Sequence, residues 1–253
     1  MRKFLTSTFA AVVLAVAVPA LADEGPALEH QSWSWHGPFG QYDKAQLRRG
    51  FQVYREICSN CHAMKLLAYR NLAALGFSED ETKAIAAEKQ VQDGPNDQGD
   101  MYSRPARPSD RFVSPFPNDQ AARVGNNGAL PPDLSLITKA RAGGPDYIYG
   151  VLTGFKDTPP EGVTIPDGMY YNTAFPGHQI AMPPPISDEQ VTYADGTKAT
   201  KEQIAKDAVA FLNWGAEPEL DQRHSLGIKT LLFVFVMTVL FYALKRRIWA
   251  DQH

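Results

Sequence analysis

Helical spacing of apolar side chains marks the first well-defined segment of this chain. Asp43-Lys44-Ala45-Gln46 forms a capping-box pattern, and Leu47, Phe51, Tyr54 and Ile57 follow on one helical face. The helix delivers residue 58 at its end, and Leu66, Leu67 and Tyr69 predict that it continues or restarts after His62. Residues 79–88 have helical composition inside a polar, acid-rich run from Ser78 to Asp100. Asp133-Leu134-Ser135-Leu136-Ile137 predicts a short helix capped by Asp133. Gly143-Gly144-Pro145-Asp146 introduces the next helix, with proline in its first turn and Tyr147, Val151 and Leu152 on its apolar side. A second capping box, Thr200 to Gln203, opens a helix carrying Ile204, Val209, Phe211, Leu212 and Trp214, which Glu217-Pro218-Glu219 interrupts.

The remaining stretches lack such a period. Residues 23–40 are polar with scattered aromatics, Trp33, Trp35 and Phe39, and read as an extended arm packed on the domain. Its His30 and His36 fit exposed or core-satisfied roles better than metal ligation. Residues 101–117 are rich in proline and arginine, and residues 156–185 hold seven prolines in thirty positions, so both read as loop. Asn126-Asn127-Gly128 is a turn signal that Pro131-Pro132 follows, and Asp195-Gly196 predicts a tight turn between two short extended pieces. There is no internal repeat. The pattern is mainly α with long loops, arranged around something that supplies missing core.

The two ends are apolar for different reasons. Met1-Arg2-Lys3, an apolar run from Phe9 to Val18 and the small Ala20-Leu21-Ala22 form a secretory signal peptide over residues 1–22, too short in its apolar core to span a bilayer. Leu226 to Leu244 carries one charge, Lys229, and at 1.5 Å per residue spans about 28 Å, close to the hydrocarbon thickness. Lys245-Arg246-Arg247 follows at once, with Tyr242 and Trp249 as interfacial anchors. The expected organisation is a periplasmic domain over 23–225, a single span over 226–244 in the cytoplasmic (inner) membrane, and a cytoplasmic tail over 245–253.

Charge sharpens this picture. The whole chain of 253 residues carries a formal −3, but residues 23–225 hold 19 Lys and Arg against 27 Asp and Glu. An exported domain of that sign suits a basic protein partner and disfavours nucleic acid.

The candidate chemistry lies at Cys58-Ser59-Asn60-Cys61-His62, the attachment signature of a c-type haem. Two thiols separated by two residues reach the two vinyl groups of one porphyrin, and the adjacent His62 places a ring nitrogen on the iron. These are the chain's two cysteines, so neither is left for a disulfide. A dithiol redox site would sit in a βαβ context that is missing here, and a zinc site would need a second ligand pair at suitable spacing. The expectation is one covalently bound haem c in a c-type cytochrome domain.

A second axial ligand is needed to close the iron. Met1 is removed, Met237 lies in the apolar span, and Met64 sits two residues from His62 on the wrong side of the haem plane. Met101, Met169 and Met182 remain. Met182 lies in the loop before the last packing helix, and Pro183-Pro184-Pro185 restricts its backbone; Met169 and then His178 are its rivals. A His/Met pair saturates the iron, raises its potential and makes the site an electron carrier rather than a gas or substrate site.

Several motifs carry a resemblance. Arg48-Arg49-Gly50-Phe51-Gln52-Val53-Tyr54 leading into Cys58–His62, Val91 to Asn96, Asn126 to Ser135 and Ile180 to Ile186 occur in this order, followed by Ala216-Glu217-Pro218 and one anchor. Together they resemble the cytochrome c1 family, the haem subunits of the cytochrome bc1 complex (ubiquinol–cytochrome c reductase), over essentially the mature chain. The resemblance implies Met182 as the sixth ligand, Arg141 on a haem propionate, Tyr147 hydrogen-bonded near the propionates, and Asn126 and Pro132 lining the pocket. It further implies cytochrome b and Rieske iron–sulfur subunits as partners, and a relay of one electron from the Rieske centre to a soluble, basic c-type cytochrome. The catalytic label would belong to the complex, because no side chain here looks like a quinol site. Some bacterial relatives add a cysteine pair in the loop before the methionine, which this chain lacks. The competing readings are a stand-alone membrane-tethered cytochrome serving a terminal oxidase or reductase, and a haem enzyme or gas sensor with an open iron position.

Overall fold

Two capped helices form the frame. In the computed structural model, which describes residues 28–252, α1 (Lys44–Glu56) begins where the Asp43 carboxylate accepts a hydrogen bond from the Ala45 amide at 2.9 Å. The expected signal peptide, residues 1–22, lies outside the described residues. Five further α-helices follow: α2 (Glu79–Ala87), α3 (Asp119–Gly125), α4 (Gly144–Thr153), α5 (Lys201–Ala216) and α6 (Leu220–Ile248). Two small antiparallel pairs and short 3₁₀ turns accompany them among the described residues, β1 (Gln90–Asp93) pairing with β2 (Tyr102–Pro105), and β3 (Tyr170–Tyr171) with β4 (Gln179–Ile180). The fold is mainly helical with long loops, as the sequence pattern predicts.

Helices α1 and α5 pack against each other, and Gly50 is what lets them meet. A Cβ there would press into the Asp207 carbonyl oxygen and lie 2.7 Å from Phe211 Cβ. Leu47, Phe51 and Tyr54 are buried on the face the sequence predicts, and Ile57 packs at its edge. Phe211 sits 5.6 Å from both Phe51 and Tyr54, and 5.7 Å from Trp214, within the range of favourable aromatic pairs. One buried ion pair crosses the same interface. Asp207, with no exposed side-chain surface, accepts from Arg49 Nε at 2.9 Å and from Gln203 Nε2 at 2.9 Å. Thr200 caps α5 through Oγ1, which accepts from the Gln203 amide.

Several local expectations differ from the structure. After His62 the chain turns and forms a 3₁₀ helix over Tyr69–Leu75, so Leu66 is exposed while Leu67 and Tyr69 are buried. The Asp133 segment is a run of turns rather than a helix; Asp133 accepts from the Ser135 amide and, across the fold, from the Lys65 amide. Residues 102–105 form strand β2, because Arg104 binds Asp93 and Asp110 and pins the hairpin base. No hydrophobic alternation signals that pair, since the hairpin is held by charge. Helix α3 also lacks a clear apolar period. Asp195-Gly196 does turn, but its flanks are not strands.

The arm packs as predicted: Trp33 and Trp35 are buried and stacked with centroids 4.9 Å apart, while Phe39 is exposed. At the far end, α6 runs 29 residues, about 43 Å. It starts six residues before the apolar run at Leu226, and those first turns are docked on the domain. The Tyr42 amide donates to Asp221, His224 Nδ1 donates to the Gly40 carbonyl at 2.8 Å, and Leu220 is buried. Beyond them the helix is long and apolar enough to cross a membrane, and no part of that stretch is covered by the domain.

Candidate haem-binding site

The Cys58–His62 turn is built as the C-terminal cap of α1. The last carbonyls of a helix lack intrahelical donors. Here Ser59 Oγ donates to the Arg55 carbonyl at 2.8 Å and Asn60 Nδ2 to the Glu56 carbonyl at 3.1 Å. The two residues between the cysteines therefore close the helix. The Cys61 and His62 amides both donate to the Cys58 carbonyl, which winds the motif into one tight turn. Cys58 is half-buried, Cys61 is exposed, and the two thiols are not joined. Burial pushes the Cys58 thiol up to about 12, with the neighbouring Cys61 adding to the rise. A redox dithiol needs the opposite shift, toward thiolate.

His62 is oriented by a second segment. Its Nδ1 lies 2.8 Å from the Pro132 carbonyl oxygen, which can only accept, so Nδ1 carries the proton and Nε2 presents its lone pair. Burial lowers the imidazole's pKa, against the Pro132 carbonyl and the Asp133 charge, which favours the neutral ligating form. Residues 132–135 are tied to 62–66 by Leu134 N to Ala63 O, Lys65 N to Asp133 Oδ2, and Leu66 N to Ser135 Oγ. The Pro132 carbonyl thus sets the histidine tautomer. Asn126 lies at the end of α3, where its Nδ2 caps the Ala122 carbonyl at 2.7 Å and shapes the turn leading into Pro131-Pro132.

Helix α4 brings the other candidates together. Arg141 precedes it, exposed, and among the described residues forms no ion pair; its charge acts on the Tyr147 hydroxyl, opposing the rise that burial causes. Tyr147 packs against the main core, as Cys58 does, and also against a second cluster of Val151, Phe155, Ala174 and Ile180. Met182 packs on that second cluster. The rivals are placed differently. Met64 is fully buried against Gly215 of α5, Met101 is 61% exposed in the loop joining β1 to β2, and Met169, half-buried, donates its amide to the Pro166 carbonyl at 3.1 Å. His178 Nδ1 bonds the Asn172 carbonyl. Asn172 is a residue the sequence reading missed. Fully buried, it donates to the Val151 carbonyl at 2.8 Å and accepts from the Ala174 and Phe175 amides, so it fastens the proline-rich loop to α4. An Asn among loop residues gives no advance signal of that role.

The residues present fit a haem. Two unpaired thiols, an imidazole with Nε2 available, a cation without a protein carboxylate and the exposed apolar Leu66, Leu130 and Leu136 on the flanking segments are the parts such a group requires. A separate cavity of about 400 Å³, lined by Arg48, Arg49, Phe51, Gln52, Phe77 and Asp195, contains none of them.

The chain thus joins a thiol pair and an oriented histidine at the end of its first helix to a C-terminal helix long and apolar enough to cross a membrane, the parts a haem protein of the membrane-associated class requires. Residues 33–252 match the model of the Cytochrome C1 family, and the chain belongs to that family. It is similar to cytochrome c1 of Rhodospirillum rubrum, 54% identical over 258 residues, with 96% of this chain and 95% of the relative covered. The mitochondrial cytochrome c1-2 haem protein of Solanum tuberosum is 48% identical over 239 residues, covering 93% and 91%. The cytochrome b/c1 of Bradyrhizobium diazoefficiens is 49% identical over 242 residues, 87% of this chain but 35% of that longer protein.

Proposed function

We propose that Cys58 and Cys61 attach one haem c through thioether bonds, that His62 Nε2 and Met182 Sδ ligate its iron, and that Arg141 and Tyr147 bind its propionates. As a cytochrome c1, the chain is the haem-carrying electron-transfer subunit of the cytochrome bc1 complex. When bound, the haem would supply a one-electron centre, and His62 and Met182 are the residues that would hold its iron. The chain's own part is positional. Pro132 keeps the proton on Nδ1, α4 carries Tyr147 with Arg141 just before it, and Asn172 fixes the loop that carries Met182. The observation that carries this reading is the His62–Pro132 hydrogen bond, since it leaves a single ring nitrogen directed to a ligand beside two unpaired thiols.

Within the complex, cytochrome b and the Rieske subunit are the partners; a relative that joins b and c1 in one chain supports the first of these. The electron would arrive from the Rieske centre and leave to a soluble basic c-type cytochrome, with quinol oxidised elsewhere in the assembly. In the proposed topology, residues 23–225 lie in the periplasm, 226–244 span the inner membrane within α6, and 245–253 are cytoplasmic. Family membership favours this over a stand-alone tethered carrier. A reduced-minus-oxidised spectrum of the purified complex, with and without Met182→Leu, tests the ligation. The variant should keep its haem but show a lower potential; an unchanged potential removes Met182.

A further inference from the structure

Asp146 is a buried carboxylate that the proposed haem contacts leave unused. Asp146 lies in the first turn of α4 with a side chain 12% exposed, and its hydrogen-bond donors all come from the N-terminal arm. His30 Nδ1 donates to Oδ2 at 2.9 Å; Trp33 Nε1 and the Gln31 amide donate to Oδ1 at 2.6 and 3.2 Å. Trp33 stacks on Trp35 and meets Tyr149 of α4 edge-on, so the short indole bond is shielded from water, where such bonds strengthen.

The arm then follows one face of α4. Tyr147 and Gly150, three residues apart, share one face of α4, and the N-cap Gly143 borders it. Leu28 covers it: a Cβ at Gly143 would collide with Leu28 Cδ1, and one at Gly150 would lie 3.5 Å from Leu28 Cδ2. Leu28 also packs on the Val151–Phe155–Ala174–Ile180 cluster, as do Tyr147, Phe175 and Met182. The arm therefore touches the cluster shared by a proposed propionate residue and the proposed sixth ligand.

We propose that the N-terminal arm is a strap that buttresses the haem pocket, with Asp146 as the positioning residue that clasps it and Leu28 as its point of pressure on the Tyr147–Met182 cluster. This rests on the haem-site reading above. Asp146 touches neither iron nor propionate in this scheme; it acts through Leu28. Releasing the clasp lets Leu28 leave the glycine face and loosens the cluster, so Met182 would hold a bound haem less firmly.

The test uses the assembled, haem-loaded complex carrying Asp146→Ala, Trp33→Phe or Leu28→Ala. Amide exchange at Gln31 reports the clasp; carbon monoxide uptake by the reduced protein and the haem midpoint potential report the pocket. In Asp146→Ala, Gln31 should exchange about a hundredfold faster, as expected for losing two to three ordinary hydrogen bonds. Carbon monoxide uptake should rise several-fold and the potential should fall. Leu28→Ala should produce the pocket changes while Gln31 stays protected, which a merely loosened fold would not do. A freed arm with wild-type potential and carbon monoxide uptake overturns the strap, as does a silent Leu28→Ala. If Asp146→Ala does not assemble, Trp33→Phe and Leu28→Ala decide on the same readouts. The ligand assignment fails separately: Met182→Leu without effect removes it, while a potential shift in Leu28→Ala still upholds the strap through Tyr147.

Discussion

At the scale of single residues, the structure concentrates its constraints in side chains that sit between elements. Arg49 and Asp207 join α1 to α5 where Gly50 has already brought the backbones together. Removing one partner of such a pair leaves a desolvated charge, typically at a cost of about 3–5 kcal/mol. Arg49→Met should therefore lower the unfolding midpoint strongly, whereas Arg49→Met combined with Asp207→Leu should recover much of the loss. Denaturant titration of the two variants checks this, and equal stability would show that the pair itself contributes little. Asp195 complicates the pair by accepting from the same guanidinium at 2.7 Å, but its side chain is far more exposed than Asp207 and water can replace that bond. His62 shows the same principle with a functional result. Its protonation pattern is decided seventy residues away at Pro132.

Elements add a different kind of control, because the ends of α1 and α4 carry contacts at or beside the candidate site. The C-terminus of α1 is closed by Ser59 and Asn60, so the haem signature and the helix cap are one structure. The N-terminus of α4 holds the arm through Asp146. Burial alone would raise that carboxyl, but the bonds from His30, Trp33 and the Gln31 amide more than offset it and hold it below its usual value. A group whose folded pKa is depressed stabilises above its unfolded value, about 3.9, and loses that contribution as pH falls through the folded value. The arm should thus stay protected from exchange above about pH 4 and loosen on further acidification. Exchange at the Gln31 amide followed from pH 6 down to 3 checks the sign; protection that disappears above pH 5 would assign the clasp to another group. The corner between α5 and α6 is tied in turn by Glu217, which binds Lys139 and Arg223, so α6 and the loop before α4 share one residue.

The whole molecule is an acidic body on an apolar stalk. The 19 basic against 27 acidic residues of segment 23–225 are unevenly placed, with Glu79, Asp80 and Glu81 in the exposed first turn of α2. If the electron acceptor is a basic protein, encounter should be accelerated at low salt and slow as the Debye length falls toward about 8 Å at physiological ionic strength. Stopped-flow oxidation of the reduced complex by a soluble basic cytochrome should show that decline, and a flat salt response would exclude charge steering. The docked first turns of α6 have a further consequence at this scale. Asp221 and His224 bind segment 40–42, so the domain is coupled to the direction of the stalk and is not hung from a free linker.

Some of this was legible before any coordinates. Helical periods located α1, α4 and α5, caps located the starts of α1 and α5, a first-turn proline that of α4, and uniform apolarity located a helix long enough to cross a membrane, because these signals are local and repeat within a few residues. The Cys58–His62 signature named a haem for the same reason: its chemistry depends on spacing along the chain. The β1–β2 hairpin and helix α3 were not legible, since charge pairs and short turns hold them without an apolar period. Nor could spacing show that Pro132 orients His62, that Asn172 fastens the methionine loop, or that Asp146 clasps the arm. Each of these contacts joins a backbone group or a buried carboxylate to a partner distant in sequence, and only the packed chain brings the two within hydrogen-bond reach. By itself, then, the sequence determined which chemistry the chain carries and where its helices lie; the tertiary structure decided how the histidine, the α4 face and the arm are held around that chemistry.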